Sequence, residues 1–368
     1  MNKAVKYILY PTTEQKIMFV KTFGCCRKVY NLMLADKIAC YKKTKSFGKQ
    51  TPAMYKAEYP FLKEVDSLAL ANVQLNLQSA LKNCFDKSRK RQNGFPKFKS
   101  AKHSRKSYTT NNQKGTVAII DDRYIKLPKI GKIKAVIHRK PDADWTIKSA
   151  TISQDSDGKF YVSILFEYEK AITPAIISDN AVGIDYKSDG LYMDSNGYCP
   201  FGHKYYRQNQ EKLAQAQRKL KHMAIGSNNY KKQQCKIAKI QKHTSNQRLD
   251  FLHKESTKIT NLYDIVCVET LDMKAMSNKA FGNGKATMDN GYGMFLNMLE
   301  YKLANRGKYF VKVDKWYPSS QLCSCCGKQK KLTLADRIYK CDCGLTINRD
   351  HNAAINIKNE GLRILKSA

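Results

Sequence analysis

The chain has 368 residues, more than a single domain usually contains, and its 42% hydrophobic content is enough for two or more compact cores. Lysine and arginine outnumber aspartate and glutamate by 66 to 31, a formal net charge of +35, so a polyanion is the expected partner, either a nucleic acid or an anionic membrane. No apolar run of about 18 residues occurs, and the amino terminus lacks a signal-peptide pattern, which argues against a membrane-spanning or secreted protein and predicts a soluble, cytoplasmic one.

The first half of the chain predicts a strand, a helical unit and a small barrel. Residues 3–10 predict a strand, and Pro11 with the two threonines after it predicts a helix start. Apolar residues at helical spacing then predict an all-helical unit over roughly 13–90. From about residue 105, short alternating segments between Asp, Gly and Pro turns predict a small antiparallel barrel. Its predicted strands are 117–120, 124–127, 134–137, 147–152 and 160–166, with 3–10 as a further strand, so that the helical unit is inserted between strands.

A basic tract without acidic residues, 87–107, connects the helical unit to the barrel. Its cations could neutralise backbone phosphates while its two phenylalanines stack on exposed bases. A solvated loop is the alternative for such a charge run, but the aromatic residues and Pro96 favour binding. The candidate nucleic-acid contacts are Lys87, Arg89, Lys90, Arg91, Phe95, Lys97, Phe98, Lys99, Arg105 and Lys106.

The second half predicts an α/β unit. A strand ending at Asp185 leads to Asn196-Gly197, which predicts a hairpin. Residues 205–259 form a long basic helical stretch interrupted at 226–229, and the like charges of this helical hairpin would repel each other unless a polyanion lay along it. Further candidate contacts there are Arg218, Lys231 and Lys232. An apolar strand at 265–268, an amphipathic helix at 295–303 and a strand at 309–313 follow, and this order is typical of an RNase H-like sheet.

Three carboxylates stand in settings that suit divalent metal ions. Asp185 and Glu269 end apolar strands, and Asp350 opens a helix. Two metal ions about 4 Å apart can hydrolyse a phosphodiester when several carboxylates converge on them. Each acid alone has a structural explanation, as a turn residue, a strand-end charge or a helix cap. Glu269 fits that explanation least well, because an unpaired charge at the end of an apolar strand is costly. Two Mg²⁺ ions, or Mn²⁺ in their place, are the expected cofactors.

The cysteines fall into two groups. Of the twelve, seven are scattered without shared spacing and are expected to be reduced thiols. The other five lie between Cys323 and Cys343, and four of them form two glycine-flanked pairs that are typical of a zinc ribbon. The second pair is C-x-C where C-x-x-C is commoner, and Cys325 is a spare thiol. The predicted ligands of one structural Zn²⁺ are Cys323, Cys326, Cys341 and Cys343.

The combined motifs resemble the TnpB family, transposon-encoded RNA-guided nucleases related to the compact type V CRISPR effectors. The resemblance extends over nearly the whole chain, and its order is more specific than any one segment. The segments that carry it are Pro11–Gln15, Arg27–Asn31, Gly94–Lys99, Gly183–Asp185, Gln247–His253, Val268–Leu271, Pro318–Gln321, both cysteine pairs, Asn348–Asp350 and Asn352–Ala354.

This resemblance implies a multidomain α+β fold with a C-terminal RuvC nuclease domain whose catalytic, metal-binding triad is Asp185, Glu269 and Asp350. The implied divisions are a wedge-like barrel (1–12 and 105–180), an inserted helical recognition domain (13–104), the nuclease domain (181–320 and 345–368) and an inserted zinc ribbon (321–344). The barrel and helical domain would hold a structured guide RNA from the transposon end and recognise a short motif beside the target. The guide would pair with one strand of double-stranded DNA, with one protein chain expected per RNA.

One position departs from the family pattern, and two other functions stay open. The family commonly has an acid two residues before the last catalytic aspartate, where this chain has Asn348, so the second metal site could be altered. A nuclease-inactive RNA-guided regulator is disfavoured because all three triad positions are acidic. A transposase acting directly on element ends would need a strand-transfer or tyrosine nucleophile site, and the seven histidines are dispersed rather than paired beside a tyrosine.

Overall fold

The computed structural model describes residues 1–86, 88, 94–175, 179–278, 284–333 and 336–367. The chain divides into two compact units, Met1–Lys170 and Ala171–Ala368. The four-part division predicted from the sequence is finer than this one and stays a prediction. Among the described residues, no helix is both long enough and apolar enough to cross a membrane.

The first unit combines helices with one antiparallel sheet. Two short 3₁₀ turns, Pro52–Lys56 and Pro60–Lys63, separate its helices. Within the described residues its strands form a seven-stranded sheet in the order β2-β6-β7-β1-β5-β4-β3. The elements are β1 (Asn2–Tyr10), α1 (Thr13–Thr44), α2 (Ser67–Phe85), β2 (Lys106–Asn111), β3 (Ala118–Ile120), β4 (Tyr124–Leu127), β5 (Gly131–Val136), β6 (Thr146–Gln154) and β7 (Phe160–Glu167).

The strand order confirms that the amino-terminal strand belongs to this sheet, since β1 lies at its centre between β7 and β5. The order has two ends, β2 and β3, so closure into a barrel stays a prediction. Strand β2 was not predicted, because Lys106–Asn111 is polar and follows directly on the basic tract. Its inward-facing Tyr108 and Thr110 are nevertheless buried.

Helix starts in the first unit follow their capping residues. Thr12 forms a capping box with Gln15 at the start of α1. Buried Asp66 caps α2 through the backbone N–H of Leu68 and also accepts a hydrogen bond from Thr110 of β2. One carboxylate therefore ties the second helix to the edge of the sheet.

The second unit is an α/β sandwich with a separate small hairpin. In its sheet the order is β11-β10-β8-β9, where β10 is parallel to both neighbours and β9 is antiparallel to β8. Strands β12 and β13 pair only with each other among the described residues. The elements are β8 (Ala181–Tyr186), β9 (Tyr192–Asp194), α3 (Tyr205–Lys221), α4 (Asn228–Leu262), β10 (Ile265–Glu269), α5 (Met273–Met276), α6 (Gly284–Asn290), α7 (Tyr292–Ala304), β11 (Tyr309–Val313), β12 (Ile338–Lys340), β13 (Thr346–Asn348) and α8 (Arg349–Ser367).

Both faces of this sheet are buried, as expected for parallel strands. Val182 and Ile184 of β8 face one way and pack in a cluster with side chains of α4 and α7. Cys267 of β10 faces the other way and packs with Ile357 of α8. The sandwich therefore places α8 directly across the strands that carry the first two candidate acids.

The predicted helical hairpin is confirmed, whereas the predicted β-hairpin is displaced. Helices α3 and α4 are separated by a turn in which Gly226 has a φ of +85°. Asn196-Gly197 does form a turn, with Gly197 at φ +83°, but it follows β9. The antiparallel partner of β9 is β8, and the chain reverses between them at 187–191. The local turn signal was correct, but the paired strand lies before it rather than after it.

Gly183 of β8 allows a close approach between the sheet and helix α8. A Cβ there would lie 2.0 Å from the carbonyl oxygen of Ala354 and 2.6 Å from the backbone nitrogen of Lys358, both in α8. We expect Gly183→Ala to lower the free energy of unfolding by about 2 kcal/mol or more, because backbone must move. Chemical denaturation would measure the loss.

Gly293→Ala is the matched control for this substitution. A Cβ at Gly293 in α7 meets only Met273 Cγ at 3.8 Å, which is an ordinary contact. Alanine is also the better helix former, so the control should be as stable as the parent protein or slightly more stable. Equal stability of the two variants would contradict the close packing of α8 on β8.

Candidate active site and cysteine cluster

The first two candidate acids meet at the carboxyl ends of neighbouring parallel strands. Val268 of β10 is in register with Ile184 of β8, so Glu269 and Asp185 lie side by side one residue further on. A hydrogen bond joins their side chains, and the backbone N–H of Tyr186 donates to Glu269 Oε1 at 3.4 Å. Parallel pairing is thus the reason that residues 84 positions apart share one edge.

The third candidate acid reaches the same edge from helix α8. Asp350 is the second residue of α8, and that helix packs against β8. Asn348 Oδ1 accepts hydrogen bonds from the backbone N–H groups of Asp350 (2.9 Å) and His351 (3.2 Å). The residue that departs from the family pattern therefore caps the helix that carries the third acid.

The electrostatics of this edge are those of crowded carboxylates. Burial raises the pKa of the Asp185 carboxyl well above its usual range, and Glu269 and Asp350 raise it further, while Arg349 opposes the shift. Burial also raises the pKa of Glu269, although its hydrogen bonds with Asp185 and Tyr186 oppose the rise. Such groups are stabilised by a cation, which removes the repulsion between them.

Two cationic side chains already contact the third acid. Lys187 Nζ lies 3.2 Å from Asp350 Oδ2, and Arg349 Nη2 lies 3.5 Å from Asp350 Oδ1. Lys187 follows Asp185 by two residues, and its Nζ is also 3.7 Å from Asp189 Oδ1. An ammonium group therefore stands beside the acids and offsets part of their charge. Carboxylate oxygens are the ligands that hard divalent ions prefer.

A buried tyrosine lies beneath the two strand-end acids. The ring centroids of Tyr292 and Tyr186 are 4.9 Å apart, and the Tyr292 hydroxyl has no hydrogen-bond partner among the described residues. Burial, followed by the charges of Glu269 and Asp185, raises the pKa of this hydroxyl. The Tyr292 hydroxyl therefore stays neutral close to the two acids.

The four predicted cysteine ligands form one cluster. Their Sγ atoms all lie within 4.8 Å of one another, with Cys323 and Cys343 at 3.6 Å and Cys326 and Cys341 at 3.6 Å. Four sulfurs bound tetrahedrally to zinc at about 2.3 Å would lie about 3.8 Å apart. The cluster thus fits a zinc ion, and Cys325 is exposed and outside it.

Backbone geometry prepares this cluster for a cation. Gly327 and Gly344, with φ of +74° and +92°, turn the chain after each cysteine pair. Burial alone would raise the pKa of the Cys323 thiol, but hydrogen bonds from the backbone of Cys326 and Cys325 and from neighbouring thiols bring it to about 7. At Cys326 and Cys343 a backbone hydrogen bond lowers the pKa, but hydrogen bonds with neighbouring thiols outweigh it and raise the pKa overall. Amides directed at a sulfur stabilise the thiolate, which is the form that binds metal.

The cysteine cluster is tied to the start of α8 by two asparagines. Asn352 Nδ2 donates to the carbonyl of Leu322 (2.6 Å), and its Oδ1 accepts from the backbone N–H of Ser324 (3.0 Å). Asn356 Nδ2 donates to the carbonyls of Ser319 and Leu322, both at 2.8 Å. The segment leading into the first cysteine pair is therefore held on the helix that carries Asp350.

Sequence reasoning assigned no role to Lys187, Asn352 or Asn356. A signal existed for the asparagines, since two poor helix formers recur four residues apart on the buried face of α8. Lys187 carried no such signal, because its partner Asp350 lies 163 positions away.

The candidate nucleic-acid contacts that the structure describes are exposed, and they lie in both units. Lys87, Arg89, Lys90 and Arg91 fall outside the described residues. In the first unit Phe95 (42% exposed) and Phe98 (58%) are open to solvent. Other exposed candidates of the tract are Lys97, Arg105 and Lys106. On the helical hairpin of the second unit, the exposed candidates are Arg218, Lys231 and Lys232.

Lys99 differs from the other cations of the tract. Its Nζ lies 3.9 Å from the centroid of the Tyr30 ring, and its backbone exchanges two hydrogen bonds with the Asn31 side chain. Lys99 therefore anchors the tract to α1, and its charge is directed at an aromatic ring.

Comparisons with known proteins agree with the combined motifs. Residues 1–46 match the family described as "Helix-turn-helix domain", 163–280 match "Probable transposase", and 292–357 match "Cas12f1-like, TNB domain". A Streptomyces pristinaespiralis protein named "Putative RNA-guided DNA endonuclease" is 35% identical over 98% of this chain and 90% of its own length. The Escherichia coli K12 protein named "Putative RNA-guided DNA endonuclease InsQ" is 30% identical over 99% of this chain and 93% of its own.

The fold has a solved counterpart as well. The cryo-EM structure of the Cas12f1–sgRNA–target DNA complex contains a chain that superposes with a TM-score of 0.63 at 14% identity, covering 98% of this chain and 99% of that one. At this identity the likeness concerns the fold, which is a multidomain α/β architecture. With the two relatives matched over nearly their full length, the chain belongs to the TnpB family.

Proposed function

We propose that the protein is an RNA-guided, metal-dependent endonuclease of a transposable element that cuts double-stranded DNA in the cytoplasm. The observation that carries the proposal is the meeting of Asp185 and Glu269 at one sheet edge, with Asp350 brought to that edge by α8. The relatives named as RNA-guided DNA endonucleases support the same activity. The net charge of +35 suits two nucleic-acid partners.

The second unit is proposed to be an RNase H-like (RuvC) nuclease domain. Support comes from its strand order, in which β8 lies between an antiparallel β9 and a parallel β10. The first unit is proposed to hold a structured guide RNA from the transposon end and to recognise a short motif beside the target. Its exposed Phe95 and Phe98 would stack on bases, while guide pairing would choose the sequence.

Asp185, Glu269 and Asp350 are the residues proposed to hold two Mg²⁺ ions, which when bound activate a water and stabilise the leaving oxygen of a phosphodiester. The chain's own contribution is positional. The two strands hold Asp185 and Glu269 in register, and the Asn348 cap orients the first turn of α8. Lys187 is placed to balance the charge of Asp350. The cysteine cluster is proposed to hold one structural Zn²⁺ that keeps the start of α8 in place.

The experiment that tests the proposal is to express the protein together with the DNA downstream of its gene and to sequence the RNA that copurifies. We expect a single discrete RNA ending in a variable guide segment, and Mg²⁺-dependent cleavage of a duplex that matches this segment. A duplex with a scrambled target is the control and should stay intact.

Two outcomes would count against the proposal. Mixed cellular RNA that salt removes would mean that the basic surface is nonspecific, and a protein acting directly on element ends would then be the better explanation. A discrete guide RNA with specific DNA binding but no cleavage would indicate the nuclease-inactive regulator.

A further inference from the structure

A cavity of about 510 Å³ opens beside the candidate active site. Its walls are the turn after β8, the segment before α3 and the first turn of α3. The cavity is a cleft that opens widely to solvent, and its volume is within the range of clefts that bind small organic groups. The lining residues are Lys187, Asp189, Gly190, Cys199, Pro200, Phe201, Gly202, Lys204 and Gln208.

Two glycines let the walls of the cavity meet backbone to backbone. A Cβ at Gly202 would lie 2.3 Å from the carbonyl oxygen of Asp189, and one at Gly190 would lie 3.3 Å from the carbonyl oxygen of Pro200. The two segments are therefore in direct contact, so the cavity is shaped by packed backbone as well as by side chains.

The chemistry of the walls suits a nucleotide. Lys204 supplies one ammonium group, and Lys187 supplies a second one that is shared between Asp189 at 3.7 Å and Asp350 at 3.2 Å. Phe201 is 78% exposed. Its ring meets the His203 ring in an edge-to-face arrangement, with the two centroids 5.2 Å apart. An open aromatic face beside two ammonium groups can stack on a base while the cations contact phosphate.

The cavity lies next to the candidate acids, and this position indicates which nucleic acid would bind in it. Lys187 lines the cavity, and its Nζ is 3.2 Å from Asp350 Oδ2, so one side chain joins the cavity to the candidate acids. We propose that this cavity receives one nucleotide of the DNA strand that reaches the acids, with its base against Phe201 and its phosphate near Lys187 and Lys204. The inference rests on the proposed function, since it takes DNA as the polymer delivered to Asp185, Glu269 and Asp350.

Photo-crosslinking tests this placement without any need for cleavage. Target DNA with one 5-iodouracil, moved stepwise along the strand, would be bound by the Asp185→Asn protein with its guide RNA and then irradiated. We expect one position to crosslink to Phe201, identified by peptide mass spectrometry, and the crosslink to be absent in the Asp185→Asn, Phe201→Ala protein. Guide RNA labelled in the same way should not crosslink there.

Kinetics on the parent protein supply a second readout. Phe201→Ala and Lys204→Ala should each weaken the productive binding of the strand by roughly 10-fold, seen as a raised half-saturating DNA concentration. Tyr301→Ala and Lys366→Ala are matched controls, since these side chains are exposed and lie outside the cavity. Thermal unfolding of all four variants would verify that they fold.

The outcomes separate this inference from the proposed function. Cleavage by the parent protein with no crosslink at Phe201, and with both variants matching their controls, would overturn the cavity assignment and leave the nuclease intact. A crosslink from the guide RNA instead of DNA would also overturn it. A DNA crosslink at Phe201 in Asp185→Asn, together with a parent protein that cuts no DNA, would support the cavity and contradict the endonuclease.

Discussion

Replacing Asp185 with alanine is expected to abolish DNA cleavage, slowing it on the order of 10³-fold or more, while RNA and DNA binding stay nearly intact. The substitution removes one of the two carboxylates that meet at the ends of β8 and β10. It removes none of the cations that would contact phosphate. Single-turnover cleavage of a matched duplex and a mobility-shift assay on the same preparation would measure both effects.

The same position allows a test on the metal-free protein. Asp185 is crowded by Glu269 and Asp350, and burial makes its charge costly. We therefore expect the unfolding temperature of Asp185→Asn to equal or exceed that of the parent protein. Residues that serve a functional site commonly lower the stability of the folded protein.

An exposed carboxylate supplies the control for both measurements. Glu300 pairs with Lys312 at 3.3 Å on the surface, where such a pair contributes little to stability. Glu300→Gln should cut DNA at the rate of the parent protein. Its free energy of unfolding should lie within about 0.5 kcal/mol of the parent value. Binding lost in parallel with cleavage in Asp185→Ala, or an Asp185→Asn protein that is markedly less stable, would contradict the assignment of a metal-holding acid.

Cys341→Ser is expected to reduce zinc to well below one ion per chain and to lower the free energy of unfolding by several kcal/mol. The sulfur lost is one of four that gather within 4.8 Å. Cleavage should fall as well, because β13 runs directly into α8 and the asparagines of α8 hold the first cysteine pair. Elemental analysis, denaturation and the cleavage assay would give three separate readouts.

Cys325→Ser is the matched control, a thiol that lies between the two predicted ligands of the first cysteine pair. Its thiol is exposed and stands outside the cluster, so zinc content and stability should both equal those of the parent protein. Normal zinc content in Cys341→Ser would refute the ligand set. Loss of zinc in Cys325→Ser would instead show that Cys325 is one of the zinc ligands.

Much of the fold could be predicted because periodic patterns are local. Apolar residues at helical spacing predicted α7, and alternating residues predicted β7 with its inward side chains buried. The helical hairpin followed from a glycine at its turn. The prediction missed β2, where a polar strand is stabilised by its neighbour β6 rather than by its own pattern.

The candidate site could be predicted only in part. The four cysteines carry their chemistry in their spacing, and the structure gathers them as expected. The sequence showed that Asn348 departs from the family pattern. It did not predict that Asn348 caps helix α8. The partner of Lys187 could not be predicted, because an ion pair between distant positions leaves no periodic trace.

The sequence by itself was enough to predict most of the elements, the three candidate acids, the four candidate cysteine ligands and a nucleic-acid partner, since these predictions depend on residue type, spacing and charge. Only the tertiary structure decided that Lys187 contacts Asp350, that α8 lies against Gly183, and that a cavity opens beside the acids. These features depend on how helix and sheet pack, and packing brings together residues whose separation along the chain carries no local signal.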